Sequence, residues 1–292
     1  MGRRLGLLAL VALLLVLAPA GAATKPGVPR FSRVVVVVME NKDFVQVIGS
    51  PDAPYLTGLA RRNALALGYY GVTHPSLPNY LALLAGSTFG IDENCTDCTF
   101  AAPNLVDELE RARISWRAYM ESMPAPCFTG ATEGAYAKKH NPFVYFRSIL
   151  DDPRRCAKVV PLTRLADDVR ARQLPRFVWI TPDLCHDMHD CDVVTGDRFL
   201  AGLLPGLVRS LGPRGVLFLT WDEGATDFGC CGAPGGGRIA TIVAGAAARK
   251  GARSGRPFDH YSLLRTIEDG LGLRRLGASA RAKPLAPLLR SG

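Results

Sequence analysis

The chain has 292 residues and a formal net charge of +9 at pH 7, and 48% of its residues are hydrophobic. Its basic residues are scattered in pairs such as Arg61-Arg62 and form no stripe with interleaved aromatic residues, which argues against a dedicated nucleic-acid-binding protein. The excess of positive charge would attract anionic substrates or phospholipid surfaces, and an arginine-rich genome is the alternative explanation.

The first 23 residues have the pattern of a secretory signal peptide. The chain begins with Met1-Gly-Arg-Arg, continues with an apolar run over Leu5–Leu17 and then has small residues around an Ala-x-Ala site. The apolar run is shorter than the roughly 20 residues that a membrane-spanning helix needs. We therefore expect cleavage near Ala22 or Ala23, a secreted protein without a transmembrane anchor, and one mature domain over residues 24–292.

Six short runs of mainly apolar residues predict the strands of a sheet. The first run contains five consecutive valines, Val34–Val38, which favour a strand because β-branched side chains lose rotamer freedom in a helix. Since this run is apolar on both faces, we expect it inside a parallel sheet that is covered on both sides. The other runs are Ala64–Tyr70, Ile114–Tyr119, Phe177–Thr181, Val216–Thr220 and Ile239–Ala244.

Segments with apolar residues at helical spacing lie between these strands. The stretch Ser122–Arg155 is rich in Pro, Gly and aromatic residues and is predicted to be irregular. The alternation of strands and helices predicts an α/β fold, with a mostly parallel central sheet flanked by helices. The predicted helices lie within Pro51–Arg62, from Ser76 to Gly86, and over Pro103–Ala112, Leu162–Arg172, Phe199–Leu211 and Asp259–Asp269, the last closed by Gly270.

Eight cysteines in an exported chain indicate disulfide bonds. Cys230 and Cys231 would bond either to each other or each to another partner. A zinc site on Cys95 and Cys98 is an alternative that an oxidising compartment disfavours. The sequence does not determine the connectivity, but proximity favours three pairs: Cys95 with Cys98, Cys127 with Cys156 and Cys185 with Cys191.

Acidic side chains follow three of the predicted strands at the point where each strand ends. Glu40-Asn41 follow the valine strand, a polar cluster over Asp183–Asp190 follows the strand at Phe177, and Asp222-Glu223 follow the strand at Val216. Because the carboxyl ends of parallel strands share one edge of a sheet, we expect these groups to converge. Converging carboxylates repel one another unless a cation neutralises them, so the pattern predicts a divalent metal site.

Ser76 stands at the predicted start of a helix, where the positive end of the helix dipole suits a phosphate. It is the candidate nucleophile, and a helix cap alone is the alternative role. The chain has no Gly-x-Ser-x-Gly elbow and no Walker or dinucleotide-binding motif, which argues against an α/β-hydrolase or a nucleotide-binding fold. All five histidines lie in polar segments or at a helix start, which favours functional roles: His74, His140, His186, His189 and His260.

Six motifs in this order resemble the phosphoesterase family, which groups bacterial phospholipases C with acid phosphatases in the alkaline phosphatase-like superfamily. The resemblance covers nearly the whole mature chain, whose length is similar to that of the short, phosphatase-type members. It implies an alkaline phosphatase-like fold. The motifs are Met39–Phe44, Thr73–Tyr80, Lys139–Phe143, Asp187–Asp190, Thr220–Glu223 and Asp259–Thr266.

The resemblance also implies which residues bind a metal ion. Glu40 and Asn41 would bind it, with Asn41 also contacting the phosphate, and Asp222 and Glu223 would bind the same ion. Ser76 would then be the nucleophile. The ion could be zinc, magnesium, manganese or calcium, because carboxylate and amide ligands suit a hard ion whereas histidine suits zinc.

A second cluster in the resemblance is formed by Asp187 and His189 with His260, and it would bind a second metal ion or hold the phosphate. His189, His260 or His140 would protonate the leaving group. Asp183 stands where we would expect Asn, which leaves open whether Asp183 or Asp187 faces the site. The residues predicted to contact the substrate are Asn41, His74, Asn79 and Lys138.

These features together predict an exported, metal-dependent phosphatase of broad specificity that forms a phosphoserine on Ser76. A phospholipase C or another phosphodiesterase using the same residues is the alternative, and it would differ in the room around the leaving group. A sulfatase is disfavoured because Ser76 lacks the Ser/Cys-x-Pro-x-Arg context. A binding protein that lost catalysis is disfavoured because every motif position carries a competent residue.

Overall fold

The computed structural model describes residues 1–2 and 27–291. The predicted signal peptide, residues 1–23, therefore lies outside the described residues apart from Met1 and Gly2. Among the helices of the described part, none combines the length and the apolar character that crossing a bilayer requires.

Strands alternate with helices along the chain, as the apolar runs predict. Each of the six predicted strands is present, and four short ones are added that the sequence pattern does not show. In chain order the strands are β1 (Arg33–Met39), β2 (Ala64–Tyr70), β3 (Trp116–Met120), β4 (Thr132–Glu133), β5 (Tyr136–Ala137), β6 (Val159–Pro161), β7 (Phe177–Thr181), β8 (Gly215–Trp221), β9 (Arg238–Ala244) and β10 (Arg253–Ser254).

Eight strands form one sheet in the order β10-β2-β9-β8-β1-β7-β3-β6. Only β9 runs antiparallel to its sheet neighbours β2 and β8, and the other pairings of this sheet are parallel. The predicted α/β fold with a mostly parallel sheet is therefore confirmed. Strand β1 lies between β7 and β8, with Val36 opposite both Trp179 and Phe218.

The helices cover the sheet, and Val34–Val38 are completely buried as a result. Helix α2 packs against α8, and α3 packs against α9. The helices are α1 (Phe44–Val47), α2 (Pro54–Arg62), α3 (Ser76–Ala85), α4 (Leu105–Arg111), α5 (Arg147–Leu150), α6 (Pro153–Cys156), α7 (Arg164–Arg170), α8 (Val193–Ser210) and α9 (His260–Leu271).

Two helix boundaries differ from the prediction. Helix α8 begins at Val193 rather than Phe199, because the Asp192 carboxylate caps it by accepting the Thr195 N–H at 2.8 Å. Helix α9 continues beyond Gly270 and ends before Gly272, which adopts the left-handed conformation of a helix terminus with φ of 74°.

The described cysteines form four disulfide bonds. Three join the pairs that proximity favours, Cys95 with Cys98, Cys127 with Cys156, and Cys185 with Cys191. The fourth joins the adjacent residues Cys230 and Cys231. The alternative of a zinc site on Cys95 and Cys98 is therefore wrong, because both sulfur atoms are used in a disulfide bond.

Glu268 on α9 is completely buried at some distance along the chain from the acidic strand ends. Its carboxyl group accepts the N–H of Leu276 at 2.8 Å and lies 2.6 Å from the Ser279 hydroxyl. Burial raises the pKa of Glu268 to about 7, so the folded protein binds its proton more tightly than the unfolded chain does.

We predict that Glu268→Gln changes the pH dependence of stability. The protonated carboxyl contributes to the free energy of unfolding. This contribution is fully present below the unfolded-state pKa of 4.5 and is lost as the pH rises through about 7. The difference in free energy of unfolding between wild type and variant should therefore fall over this window by on the order of 2 kcal/mol. Urea titrations at several pH values measure it, with the exposed-site variant Asp167→Asn as control. A flat difference between wild type and Glu268→Gln would contradict the prediction.

Candidate active site

The carboxyl ends of β1, β7 and β8 lie side by side because these three parallel strands are neighbours in the sheet. The Glu40 N–H donates to the Asp187 carbonyl at 2.9 Å, and the Asn41 N–H donates to Asp222 Oδ1 at 3.2 Å. The side chains of Glu40, Asp187 and Asp222 are completely buried, and Glu223 is nearly so. The structure thus gathers four carboxylates from three strand ends at one edge of the sheet.

Ser76 is the first residue of α3 and its side chain is buried against two of these carboxylates. Its Oγ lies 3.1 Å from Glu40 Oε2 and 3.2 Å from Glu223 Oε1. The hydroxyl has one proton, so it donates to one carboxylate at a time. One helical turn later the Tyr80 hydroxyl donates to Glu40 Oε1 at 2.6 Å, since residues four apart share a helix face.

Two of the first backbone positions of α3 offer no free N–H to a ligand. The Leu77 N–H donates to Asn94 Oδ1 at 2.9 Å, and Pro78 has no N–H. A phosphate at this helix start could therefore not bind to the backbone of Leu77 or Pro78. The positive end of the helix dipole lies near the Ser76 hydroxyl.

Asn79 does not face the pocket, contrary to the prediction that it contacts substrate. Its Oδ1 accepts the N–H groups of Val72 and Thr73 at 2.8 and 3.2 Å, and its Nδ2 donates to the carbonyls of Thr73 and Pro75. All of its hydrogen-bonding capacity is used in this way. Asn79 therefore holds the loop that precedes Ser76.

His74 joins this loop to the acidic cluster. Its Nδ1 lies 2.5 Å from Glu223 Oε2, and its Nε2 lies 3.2 Å from the Thr226 carbonyl oxygen. About a third of its side chain is exposed, so the acidic cluster reaches the protein surface at His74. This position agrees with a contact to substrate.

His140 is buried between two carboxylates. Its Nε2 lies 3.2 Å from Glu40 Oε1 and its Nδ1 lies 3.1 Å from Asp187 Oδ2, while its ring stacks on Tyr80. Burial alone would lower the pKa of His140, but the negative charges of Glu40 and Asp187 raise it to about 9. Likewise burial would raise the pKa of Glu40, yet the charge of His140 lowers it to about 2. The three groups act as one buried ion-pair network.

His189 lies at the rim of the same cluster. Its Nδ1 lies 2.6 Å from Asp190 Oδ1, and its Nε2 lies 2.9 Å from the Lys139 Nζ. Lys138 points the other way, since its Nζ donates to the Thr96 carbonyl at 2.5 Å and lies over the ring of Tyr145. The prediction named Lys138 as a substrate contact, but the lysine beside the site is Lys139, which the sequence reading missed.

His260 is also placed differently from the prediction. It is completely buried, with Nε2 2.5 Å from the Asp222 carbonyl oxygen and Nδ1 3.2 Å from the Tyr69 hydroxyl. Burial lowers the pKa of His260 to about 4, so the ring is neutral. With both nitrogens engaged it cannot protonate a leaving group, and it instead positions the end of β8.

Of the two aspartates that the sequence leaves open, Asp187 faces the site. Asp183 turns away, because its Oδ2 accepts the Ser122 hydroxyl at 2.7 Å and its Oδ1 accepts backbone N–H groups of the following loop. Asp183 forms a separate, partly exposed cluster with Glu121 and His186. The sequence does not predict this cluster. The Lys42 Nζ ties this loop to the end of β1 by donating to the Met188 carbonyl at 2.6 Å.

The electrostatics of the four carboxylates fit a divalent cation. Burial, together with the charges of Glu40 and Glu223, raises the pKa of Asp222 well above its usual range. Burial and the charge of Glu40 likewise raise the pKa of Glu223 to about 7. Within residues 27–291, Asp222 Oδ2 is buried without a hydrogen-bond partner. An orphaned carboxylate oxygen among like charges is the environment that a bound cation would relieve.

Two overlapping sets of residues could hold such a cation. The first set is Glu40 and Glu223, which contact the Ser76 hydroxyl, with Asp222 at the same strand end as Glu223. Glu40, His140 and His189 each offer a ligand atom, and these atoms lie within 4.8 Å of one another. Glu40 belongs to both sets. From the sequence, His140 is expected to act only as a proton donor. Its position between two buried carboxylates also makes it a candidate metal ligand.

A cavity of about 700 Å³ lies beside the loop that carries His74. Its wall includes Thr73, the residue before His74, together with Tyr261 and the disulfide-bonded Cys231. Arg281 and Lys283 also line the cavity, as do the acidic residues Asp92 and Asp259. This volume is sufficient for a small organic ligand.

The sequence profile of the phosphoesterase family matches residues 50–274 of this chain. The chain belongs to that family. It is therefore a hydrolase that acts on phosphoric esters, and Ser76, Asp222 and Glu223 lie within the matched region.

Curated relatives agree with this membership. The chain is 32% identical to the phosphatidylinositol-3-phosphatase of Mycobacterium tuberculosis, over 98% of this chain and 94% of that protein. It is 31% identical to the phosphate-repressible acid phosphatase of Penicillium chrysogenum, over 85% of this chain but only 60% of that protein. The phosphoesterase domain thus spans about three fifths of that fungal relative.

Solved structures show the fold. A protein of the alkaline phosphatase superfamily from Vibrio parahaemolyticus superimposes with a TM-score of 0.57 at 14% identity, over 89% of this chain and 72% of that one. The predicted alkaline phosphatase-like fold is therefore confirmed.

We predict that Asp222→Asn removes stabilisation by a divalent cation. In the wild type, Mn²⁺, Mg²⁺ or Zn²⁺ added after chelation should raise the melting temperature by about 5 °C at saturating concentration, because a ligand that binds only the folded state stabilises it. The variant should show little of this increase, since one carboxylate of the cluster is lost. Differential scanning fluorimetry measures both, and the surface variant Asp167→Asn should respond as the wild type does. An equal response of Asp222→Asn would place the cation elsewhere.

Proposed function

We propose that this chain is a secreted, metal-dependent phosphatase of broad specificity that hydrolyses phosphomonoesters through a phosphoserine on Ser76. The observation that carries the proposal is the position of the Ser76 hydroxyl, at the start of α3 and in contact with both Glu40 and Glu223. A buried hydroxyl between carboxylates is activated for attack when those carboxylates accept its proton. The four disulfide bonds of the described chain agree with an oxidising compartment.

The proposed metal ligands are Glu40, Asp222 and Glu223, with Asn41 directly after Glu40 in the chain. Asn41 adopts a left-handed backbone conformation with φ of 48°, in which its N–H reaches Asp222. A divalent cation at these residues would lower the pKa of the nucleophilic hydroxyl and neutralise charge on the phosphoryl group.

In the proposed reaction Ser76 Oγ attacks phosphorus while its proton passes to Glu223, whose pKa is raised to about 7. The Oγ–P bond forms as the bond from phosphorus to the leaving oxygen breaks. The leaving alkoxide takes a proton from the His189–Lys139 pair at the rim, in which the Lys139 ammonium donates to His189 Nε2. Water then attacks the phosphoserine, which releases phosphate and restores the hydroxyl. In this scheme His140 holds the Glu40 carboxylate in place, and Lys139 supplies positive charge near the phosphate.

The phosphomonoester is favoured over the diester by the two curated relatives, both of which are named as phosphatases. A phospholipase C or another phosphodiesterase with the same nucleophile is the second candidate, because the same carboxylates and Ser76 would serve both reactions. Hydrolysis of p-nitrophenyl phosphate should exceed that of bis(p-nitrophenyl) phosphate and p-nitrophenyl phosphocholine. The opposite order would favour the diesterase.

We predict that Ser76→Ala lowers kcat on p-nitrophenyl phosphate by at least about a thousandfold, because no nucleophile remains to form the covalent intermediate. Acid quenching of the wild type during turnover, followed by mass spectrometry, should detect phosphate on the peptide that contains Ser76. Ser87→Ala, just beyond the end of the same helix, is the matched control and should keep wild-type turnover. Retained activity in Ser76→Ala would exclude the proposed nucleophile.

The adjacent lysines provide a second test. Lys139→Ala should lower kcat/KM by about tenfold, because it removes a positive charge beside His189, and should leave the melting temperature nearly unchanged. Lys138→Ala should do the reverse, since it removes a buried side chain bonded to the Thr96 carbonyl and packed on Tyr145. Steady-state kinetics and thermal unfolding of both variants measure the contrast. Equal catalytic losses would show that the two lysines are not differentiated as the structure indicates.

A further inference from the structure

The connection between β8 and β9 carries a disulfide bond between two adjacent residues, Cys230 and Cys231. We call this bond the vicinal disulfide. All eight cysteines lie in the described part of the chain, and Cys231 is the one that is exposed. The other three disulfide bonds join residues that are buried or half-buried. Since thiol–disulfide exchange requires access to a sulfur atom, a thiol in solution reaches the vicinal disulfide first.

The backbone at the vicinal disulfide forms a turn that cysteine does not favour. The Ala233 N–H donates to the Cys230 carbonyl at 3.0 Å and closes the turn. The two central residues, Cys231 and Gly232, both have positive φ, 65° and 87°. Such a turn prefers Asn, Asp or Gly at its first central position, because a Cβ opposes the left-handed conformation. The bond to Cys230 restricts the rotations by which Cys231 would leave that conformation.

The neighbouring residues offer few side chains that could hold this turn in place of the disulfide bond. Five of the nine residues over Gly229–Gly237 are glycines. Glycine gains more backbone freedom than any other residue when a constraint is removed. We therefore expect the turn to open once the vicinal disulfide is broken.

The same connection contacts the loop that leads to Ser76. The Gly235 N–H donates to the Val72 carbonyl at 3.0 Å. The Thr226 carbonyl oxygen lies 3.2 Å from His74 Nε2. The connection thus contacts this loop both before and after the turn, so an open turn would loosen the support of His74.

On its other side the vicinal disulfide lies against the segment that begins α9. Cys230 Sγ lies 3.4 Å from the Phe258 carbonyl oxygen, and both sulfur atoms lie within 4.8 Å of a carboxylate oxygen of Asp259. The next residue, His260, contacts the Asp222 carbonyl oxygen at the end of β8. A reduced Cys230 would donate its S–H to the Phe258 carbonyl, so the reduced form has a contact of its own.

We propose that Cys230 and Cys231 are a reversible modification site, at which a dithiol reduces the vicinal disulfide and lowers the activity of the enzyme. A thiolate of the dithiol attacks Cys231 Sγ, the bond to Cys230 breaks, and the Cys230 sulfur takes a proton. The second thiol then attacks the reductant's sulfur in the mixed disulfide and releases Cys231 as a thiol. The protein gains two electrons and two protons, and the dithiol is oxidised to a disulfide. This inference goes beyond the proposed function, and only its activity measurement rests on that function.

The first test is graded reduction of the mature protein with dithiothreitol, followed by alkylation and mass spectrometry of the peptides. Cys230 and Cys231 should become alkylated at dithiol concentrations at least about tenfold below those that open the other three disulfide bonds. Reduction should also speed chymotrypsin cleavage after the exposed Phe228 by about fivefold, because the turn beside it opens. Earlier reduction of another disulfide bond, or an unchanged cleavage rate, would overturn the proposal.

The second test is the activity of variants that separate the disulfide bond from the shape of the turn. In the wild type, kcat/KM on p-nitrophenyl phosphate should fall by about fivefold on reduction and recover with oxidised glutathione. Cys230→Ser/Cys231→Ser should have the lower activity without any dithiol. Cys230→Ser/Cys231→Gly should keep the activity of the oxidised wild type, because glycine adopts positive φ without a disulfide bond. Equal activity of the two double variants would overturn the proposed role of the turn.

The matched control is Cys95→Ser/Cys98→Ser, which removes another short-range disulfide bond and should still lose activity by about fivefold on reduction. Dithiols also bind metal ions, so Cys230→Ser/Cys231→Ser is assayed with the same dithiol and should not respond. An equal loss in that variant would identify metal removal and overturn the modification site. Absence of phosphatase activity in the oxidised wild type would overturn the proposed function, whereas the order of alkylation and the chymotrypsin cleavage would still decide the modification site.

Discussion

The buried contact of His140 with Glu40 and Asp187 is the interaction on which the rest of the site depends. It joins the end of β1, the loop after β7 and the turn at His140, three segments that are distant in the chain. Carboxylates that converge in a low-dielectric interior destabilise the fold unless positive charge is placed among them. Tyr80 stacks on the imidazole and also donates to Glu40, so α3 is fixed to the same contact that orients its first residue, Ser76.

Much of this arrangement could be predicted from the sequence, because it follows from periodicity and direction. The valine run must be a covered strand, and neighbouring parallel strands must end at one edge, so Glu40, Asp222 and one of Asp183 and Asp187 had to lie close together. Which side of an irregular turn a residue faces does not follow from such rules. Lys138 and Lys139 exchange roles for this reason, because they lie in a short turn of Lys138–His140 with no repeating pattern.

Asn79 and His260 were assigned to the site for another reason, namely that each stands in a motif beside functional residues. The structure shows that both hold backbone near the pocket: Asn79 binds the loop before Ser76, and His260 binds the carbonyl of Asp222. Motif membership alone does not distinguish a residue that touches substrate from one that positions such a residue. A buried residue can contact substrate only if some of its polar atoms are not already hydrogen-bonded to the protein. Counting such atoms requires a structure.

The reversed direction of β9 has a consequence for how this enzyme can change over evolutionary time. Because β8 ends and β9 begins at the same edge of the sheet, the connection between Asp222 and Arg238 contacts His74 and lines part of the cavity of about 700 Å³. Loops accept insertions and substitutions far more readily than the strands they join. Substrate preference can therefore drift through this connection while the acids at the strand ends keep their positions, so new selectivity is accessible without rebuilding the chemistry.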